Sequence, residues 1–249
     1  MSEYPVFPNA PITEALLDIR VQLPEDITLQ ILETFNDPIK DIFSDKQLKV
    51  SYQAEIKFSP KGAATEISSP SGRPEGYLFR SASENKIVQA RLDGFTFNKL
   101  KPYENWEKLR SEARNLWGLY LKLTRPIKIT RIALRYINRI EIPLPMEEFK
   151  DYILTVPDSP SDLPLEVEHF FMSINCVNPM IQAKAVVNET IEAITADNKL
   201  PLIFDIDVYQ ATNYEVNSDE IWEDFEKLRT FKNDIFFRSI TKKTQELFK

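Results

Sequence analysis

The chain has 249 residues, 43% hydrophobic and 28% charged, and its 38 acidic against 31 basic side chains give a net charge of −7. That balance disfavours sequence-independent nucleic-acid binding, which needs a large cationic surface to displace counterions. Five glycines, one histidine and one cysteine leave no glycine-rich phosphate loop, no HExxH or Cys/His zinc set and no GxSxG elbow.

Residues 1–11 carry Pro5, Pro8 and Pro11 and read as an extended arm. They lack the basic and apolar regions of a signal peptide, and no window approaches ~20 uninterrupted apolar residues. With a lone cysteine, which fits a reducing compartment, the expectation is a soluble cytoplasmic protein without membrane association. From Ile12 to Leu23, apolar Ala15, Leu17, Ile19, Val21 and Leu23 alternate with Glu14, Asp18, Arg20 and Gln22, the pattern of a half-buried strand. Pro24 opens a helical stretch through Phe35, and Asp37-Pro38 is expected to restart a short helical continuation.

Five β-rich runs follow, at 48–59, 64–69, 76–82, 86–92 and 95–100. Short turns separate them and favour antiparallel hairpins. Trp106, Leu109, Ala113, Leu116, Trp117 and Tyr120 then recur at helical steps and predict an amphipathic helix ending near Arg125-Pro126.

The second half opens with a long strand over Ile127–Ile142, whose even positions are apolar. A short helix at 146–154, a Pro/Ser/Asp loop (PDSPSDLP), strands near 166–177, 180–191 and 202–209, and a long helix over 218–249 are predicted after it. Local sequence matches the first half in the same order. ITEALLDIRVQLP (Ile12–Pro24) matches ITRIALRYINRIEIP (Ile129–Pro143), and EKLRSEARNLW (Glu107–Trp117) matches EKLRTFKNDIF (Glu226–Phe236). The expected fold is α+β, a tandem duplication of one strand, helix, antiparallel strands and helix unit. Residues 1–126 and 127–249 would join in one compact domain, a curved antiparallel sheet with helices on one face and the other open. By fold-level analogy this resembles the duplicated saddle of TATA-binding proteins or a helix-grip module, an analogy that supplies no function.

The segments NAPITEALLDIRV (Asn9–Val21), FTFNKLKPYENWEKL (Phe95–Leu109), LRYINRIEIP (Leu134–Pro143), LIFDIDVY (Leu202–Tyr209) and DIFFRSITKKTQELF (Asp234–Phe248) together resemble a family of sporadically distributed, uncharacterised prokaryotic proteins of about this length. The resemblance implies no cofactor and no catalytic residue. The family's patchy distribution implies an accessory role such as phage defence.

Arg131, Arg135 and Arg139 recur every fourth residue on one strand face, neighbours about 13 Å apart at ~3.3 Å per residue. Such a row can hold an anionic ligand through guanidinium forks, or pair across strands with Glu14, Asp18, Asp205 and Asp207. Asn138 falls on the apolar face of the same strand, where a buried amide must cap a bulge or contact a ligand. Asp205 and Asp207, two apart on one strand, could bind a divalent metal with Glu166 and Glu168, although the Gly-Ser loop of strand-borne nucleotidyltransferase sites is lacking. His169 reads as a strand residue, Cys176 as a small buried apolar one, and Trp106, Trp117 and Trp222 as core. The basic stretch 122–139 adjoins the acidic stretch 141–168, which allows head-to-tail or two-fold self-association. The resulting expectation is a non-catalytic binding module that engages a protein partner or a small anionic ligand through its open sheet face. The competing expectation is a metal-dependent enzyme acting on a phosphate substrate.

Overall fold

A computed structural model describes residues 4–53, 56–58, 64–67, 71–81, 83–157, 168–216 and 218–249, with backbone only at 52–53, 56–58, 64–67 and 71. In chain order the strands are β1 (Ile12–Gln22), β2 (Asp45–Gln53), β3 (Ile56–Phe58), β4 (Ala64–Ile67), β5 (Ser71–Ser81), β6 (Lys86–Arg91), β7 (Gly94–Leu100), β8 (Lys128–Pro143), β9 (Phe171–Asn178), β10 (Ala183–Ile191) and β11 (Lys199–Tyr214). The α-helices are α1 (Leu29–Glu33), α2 (Trp106–Thr124), α3 (Glu220–Ser239) and α4 (Lys242–Glu246).

Nine strands form one open sheet in the order β2-β5-β6-β7-β1-β8-β11-β10-β9, while β3 and β4 pair separately. Every ladder in the large sheet is antiparallel, as the short turns require. The two halves meet where β1 pairs with β8, with Leu17 opposite Leu134 and Ile19 opposite Ile132. Outward from that seam each half places its last strand, β7 or β11, beside its first, then runs back through earlier strands to the edge.

The alternation read from the sequence assigns the two faces. Ala15, Leu17 and Ile19 are fully buried, as are Phe95, Phe97, Ile132, Leu134, Phe204, Ile206 and Val208. The helices cover this side. Trp117 of α2 packs on Phe95 with ring centroids 5.8 Å apart, and Phe236 of α3 stacks on Phe204 at 5.9 Å. Asn105 caps α2, its side chain accepting from Lys108 N at 2.8 Å, and Arg125 ends the helix in a left-handed conformation. Trp106, Trp117 and Trp222 are buried, as expected.

Three expected elements come out differently. The stretch at 37–42 forms hydrogen-bonded turns rather than a helix, with Ile39 and Phe43 anchored in the core. The expected helix at 146–154 reduces to a 3-10 turn at Phe149–Asp151, because Ile153 forms a β-bridge with Ile240. That bridge also splits the C-terminal helix. Ile240 is extended, and Thr241 restarts the chain as α4 by accepting from Thr244 N at 3.2 Å. Of the expected Pro/Ser/Asp loop, residues 158–164 lie outside the described residues. No described helix is long and apolar enough to cross a membrane.

Candidate functional site

On the open face, Arg131, Arg135 and Arg139 project from one side of β8 as expected, and each is already paired. Arg135 grips Asp205 with two bonds, Nε at 2.8 Å and Nη2 at 2.7 Å, and Asn188 donates to the same carboxylate at 3.2 Å. Arg131 reaches Asp18 at 3.2 Å and Asp207 at 3.7 Å, and its guanidinium lies over the Tyr209 ring at 4.5 Å. Arg139 pairs with Glu192 at 3.1 Å and with Glu141.

Asp18 is the hub of this lattice. Antiparallel pairing sets Arg20 directly opposite Arg131, like charges that repel unless an anion lies between them. Asp18, buried beside both, accepts from Arg20, from Arg91 at 2.7 Å and from Thr96 at 2.7 Å. Burial alone would raise its pKa. Arg91, Arg20 and the Thr96 hydroxyl outweigh burial and hold the carboxyl below its ordinary value. Asp207 goes the other way, its burial outweighing Arg131 and Arg135.

The candidate metal residues are not brought together. Asp205 is committed to Arg135, Glu168 is exposed in the segment before β9, and Glu166 lies outside the described residues. Among the described residues, no group of three His, Cys, Asp or Glu side chains could hold a metal ion. His169 is exposed outside any strand, and Cys176 is half-buried on β9.

Asn138 is separated from the arginines by the thickness of the sheet. It sits on the helix-covered side, 3% exposed, its amide donating to Phe204 O at 3.0 Å. There it lines a cavity of about 990 Å³ bounded by the N-terminal arm, the start of α2, the middle of α3 and β8. The walls combine aromatic side chains, among them Phe7, Tyr103, Trp106, Tyr136, Phe236 and Phe237, with charged ones such as Glu107, Arg110, Glu226 and Arg229. The arm is strapped down at one end, where Tyr4 stacks on Phe237 at 4.6 Å, and at the other, where Asn9 N donates to Phe248 O at 3.0 Å.

Most of the charged lining residues belong to α2, α3 and the segment just before α2, and a smaller set of buried polar groups lies deeper. The Tyr103 and Tyr136 hydroxyls are 2.9 Å apart; burial pushes Tyr103 up to about 12 and raises Tyr136 well above the ordinary phenol value, so both stay protonated. Lys232 of α3 is buried, with its Nζ 3.9 Å from the centre of the Tyr136 ring. It donates to Asn233 Oδ1 and forms no ion pair among the described residues. Burial, with a smaller push from Arg229, lowers this amine to about 7. At one wall Glu226 accepts from Trp106 Nε1 and from Arg110, both at 2.6 Å, and pairs with Arg229 at 3.4 Å.

The sequence held an unused signal for Lys232. It occupies the apolar stripe Ile221, Phe225, Leu228, Phe236 at the step where a hydrophobic residue belongs. Glu189 carries the same signal, falling on the inward parity of β10 with Ala185, Val187 and Ile191. It is fully buried, neither carboxyl oxygen has a hydrogen-bond partner among the described residues, and Thr155 Oγ1 beside it is outside bonding geometry. Burial pushes this carboxyl up to about 7, the Thr155 hydroxyl offsetting only part of the effect.

No family model matches the chain, and no match to a curated protein was found.

Proposed function

We propose that this protein is a binding module for a small organic ligand, and that its site is the cavity between the helices and the sheet rather than the open sheet face. The observation that carries this reading is the convergence of a buried amine, a buried carboxamide and a tyrosine hydroxyl pair on one large space that several aromatic side chains help to wall. A concave, mostly apolar pocket with a few placed polar groups is the usual form of a small-molecule site. The open face supports the alternative less well, because an anion there would have to displace carboxylates that already hold the arginines. Four of the five segments that carry the family resemblance contribute residues to the cavity wall, among them Pro11, Trp106, Asn138 and Phe236.

We further infer that the chain is two copies of one unit, related by a two-fold axis through the β1–β8 seam. The ungapped match of Ile12–Pro24 to the start of Ile129–Pro143 superposes Leu17 on Leu134, and these two face each other across the seam. The matched EKLR segments of α2 and α3 contact reciprocally, Arg110 with Glu226 and Arg229 with Glu107 at 4.0 Å. Such exchange of equivalent partners is what a two-fold produces. Against that background the cavity's polar groups stand out. Lys232 corresponds to fully buried Ala113, Tyr136 to Ile19 and Asn138 to Val21. At these three cavity-lining positions the residue is polar in the second copy and apolar in the first, which supports a role beyond packing.

The test is a thermal-shift and Trp-fluorescence titration with 2-naphthalenemethanol, comparing the native chain with Thr230→Trp. Thr230 lies on the cavity rim at an exposed helical position. The native chain should gain melting temperature and show quenching, and the variant should fold normally without either response. No response from the native chain, or an equal one from the variant, would sink the proposal.

A further inference from the structure

Lys232 differs from every other cation with a described partner in the lower half of α3. Arg229 is shared between Glu226 and Glu107, and Lys227 pairs with Asp224 at 2.6 Å. Lys232, one turn further on, turns inward instead, against the Tyr136 ring and into the cavity, with a neutral carboxamide as its hydrogen-bond acceptor. A buried amine without a counter-ion is costly to keep charged, and a desolvated lysine beside a second cation is how a side-chain amine becomes nucleophilic.

We propose that Lys232 captures an aromatic aldehyde or ketone in this cavity as a reversible imine. The inference rests on the cavity being the ligand site. The free amine's lone pair attacks the carbonyl carbon. A C–N bond forms, and the C=O π pair moves to oxygen, which takes up a proton as nitrogen gives one up. The hydroxyl then leaves as water, taking up a proton while the nitrogen lone pair forms C=N and the nitrogen gives up its remaining proton, so amine and carbonyl become imine and water with no change in oxidation state. The Tyr103–Tyr136 hydroxyl pair, kept protonated by burial, can donate to the carbonyl oxygen and pass the proton on; the Tyr136 hydroxyl belongs to the ring against which Nζ lies. Tyr103, Trp106, Phe236 and Phe237 supply flat faces for an aromatic ligand.

At pH 7 about half of an amine titrating near 7 is neutral, against roughly 3 in 10,000 of an ordinary lysine side chain. The experiment incubates the full chain at pH 7 with 2-naphthaldehyde, reduces with borohydride, and locates adducts by intact mass and peptide mapping. One adduct per chain at Lys232, formed at least about tenfold faster than at exposed lysines such as Lys108, and lost in Lys232→Met, is the expected result. Lys232→Gln serves as the second variant, and melts of both report folding. Adducts spread over exposed lysines and unchanged in both variants would overturn the proposal. If the aldehyde and 2-naphthalenemethanol both raise the melting temperature yet no adduct forms at Lys232, the imine fails while the cavity remains a binding site. If neither probe binds, both readings fail.

Discussion

Replacing Glu189 by Gln should flatten the pH dependence of stability. Glu189 sits fully buried on β10 with neither oxygen bonded, and its folded pKa of about 7 stands above the ordinary 4.5. A carboxyl raised on folding keeps its proton longer in the native state than in the unfolded chain. Above 4.5 the native state therefore binds more protons than the unfolded state, and stability falls as pH rises until the folded pKa is passed. At about 1.4 kcal/mol per pKa unit, the full cost is about 3–4 kcal/mol, and about 2–3 kcal/mol of it develops between pH 5 and pH 8. For a chain of this size that is about 5–10 °C in melting temperature. The Gln side chain is nearly isosteric and does not titrate, so its own melting temperature measures every other group's contribution. Thermal melts of both proteins at half-unit intervals from pH 5 to pH 8 give the difference directly. The native chain should lose stability relative to the variant as pH rises. Parallel curves, or a difference that grows in the opposite direction, would refute the assignment of a lone buried carboxyl.

Two further substitutions examine the open face. Asp18→Asn removes the charge that separates Arg20, Arg91 and Arg131, leaving buried Arg91 with only the exposed Asp93 carboxylate as counter-ion. Breaking such a site costs about 3–5 kcal/mol, readable by urea denaturation at pH 7. Because the Asp18 pKa is lowered in the folded state, the native chain holds this advantage above about 4 and should lose it on further acidification, converging on the variant. Arg135→Ala strips the two-bond partner from buried Asp205 and should cost about 1–3 kcal/mol. An unchanged melting temperature would instead mark Arg135 as a side chain held for a ligand.

How much was legible beforehand follows from what each signal depends on. The period-2 pattern at Ile12–Gln22 and Lys128–Pro143 fixes which side chains share a face whatever lies next to the strand, and both strands form as read. The 3.6-residue stripe likewise sets α2. The C-terminal stripe continues past Ser239 and predicts a single helix, which the structure divides. The break depends on Ile153, almost ninety residues earlier, which draws Ile240 into an extended bridge. For the site, the arginine row was visible from spacing, yet whether a cation is free or spent depends on Asp18, Asp205 and Asp207, carried by neighbouring strands.

The sequence by itself therefore determined the class of the fold, the in-or-out assignment of its long strands and the presence of polar residues at inward positions such as Asn138, since periodicity is a property of the local chain. It takes the closed fold to set each arginine against carboxylates carried by other segments and to leave Lys232 without an ion pair among the described residues. The fold also decided that Asn138 and Lys232 share a space with two tyrosine hydroxyls. Charge pairing and empty volume are relations between segments far apart along the chain, and they come into existence when the sheet and its helices close on each other.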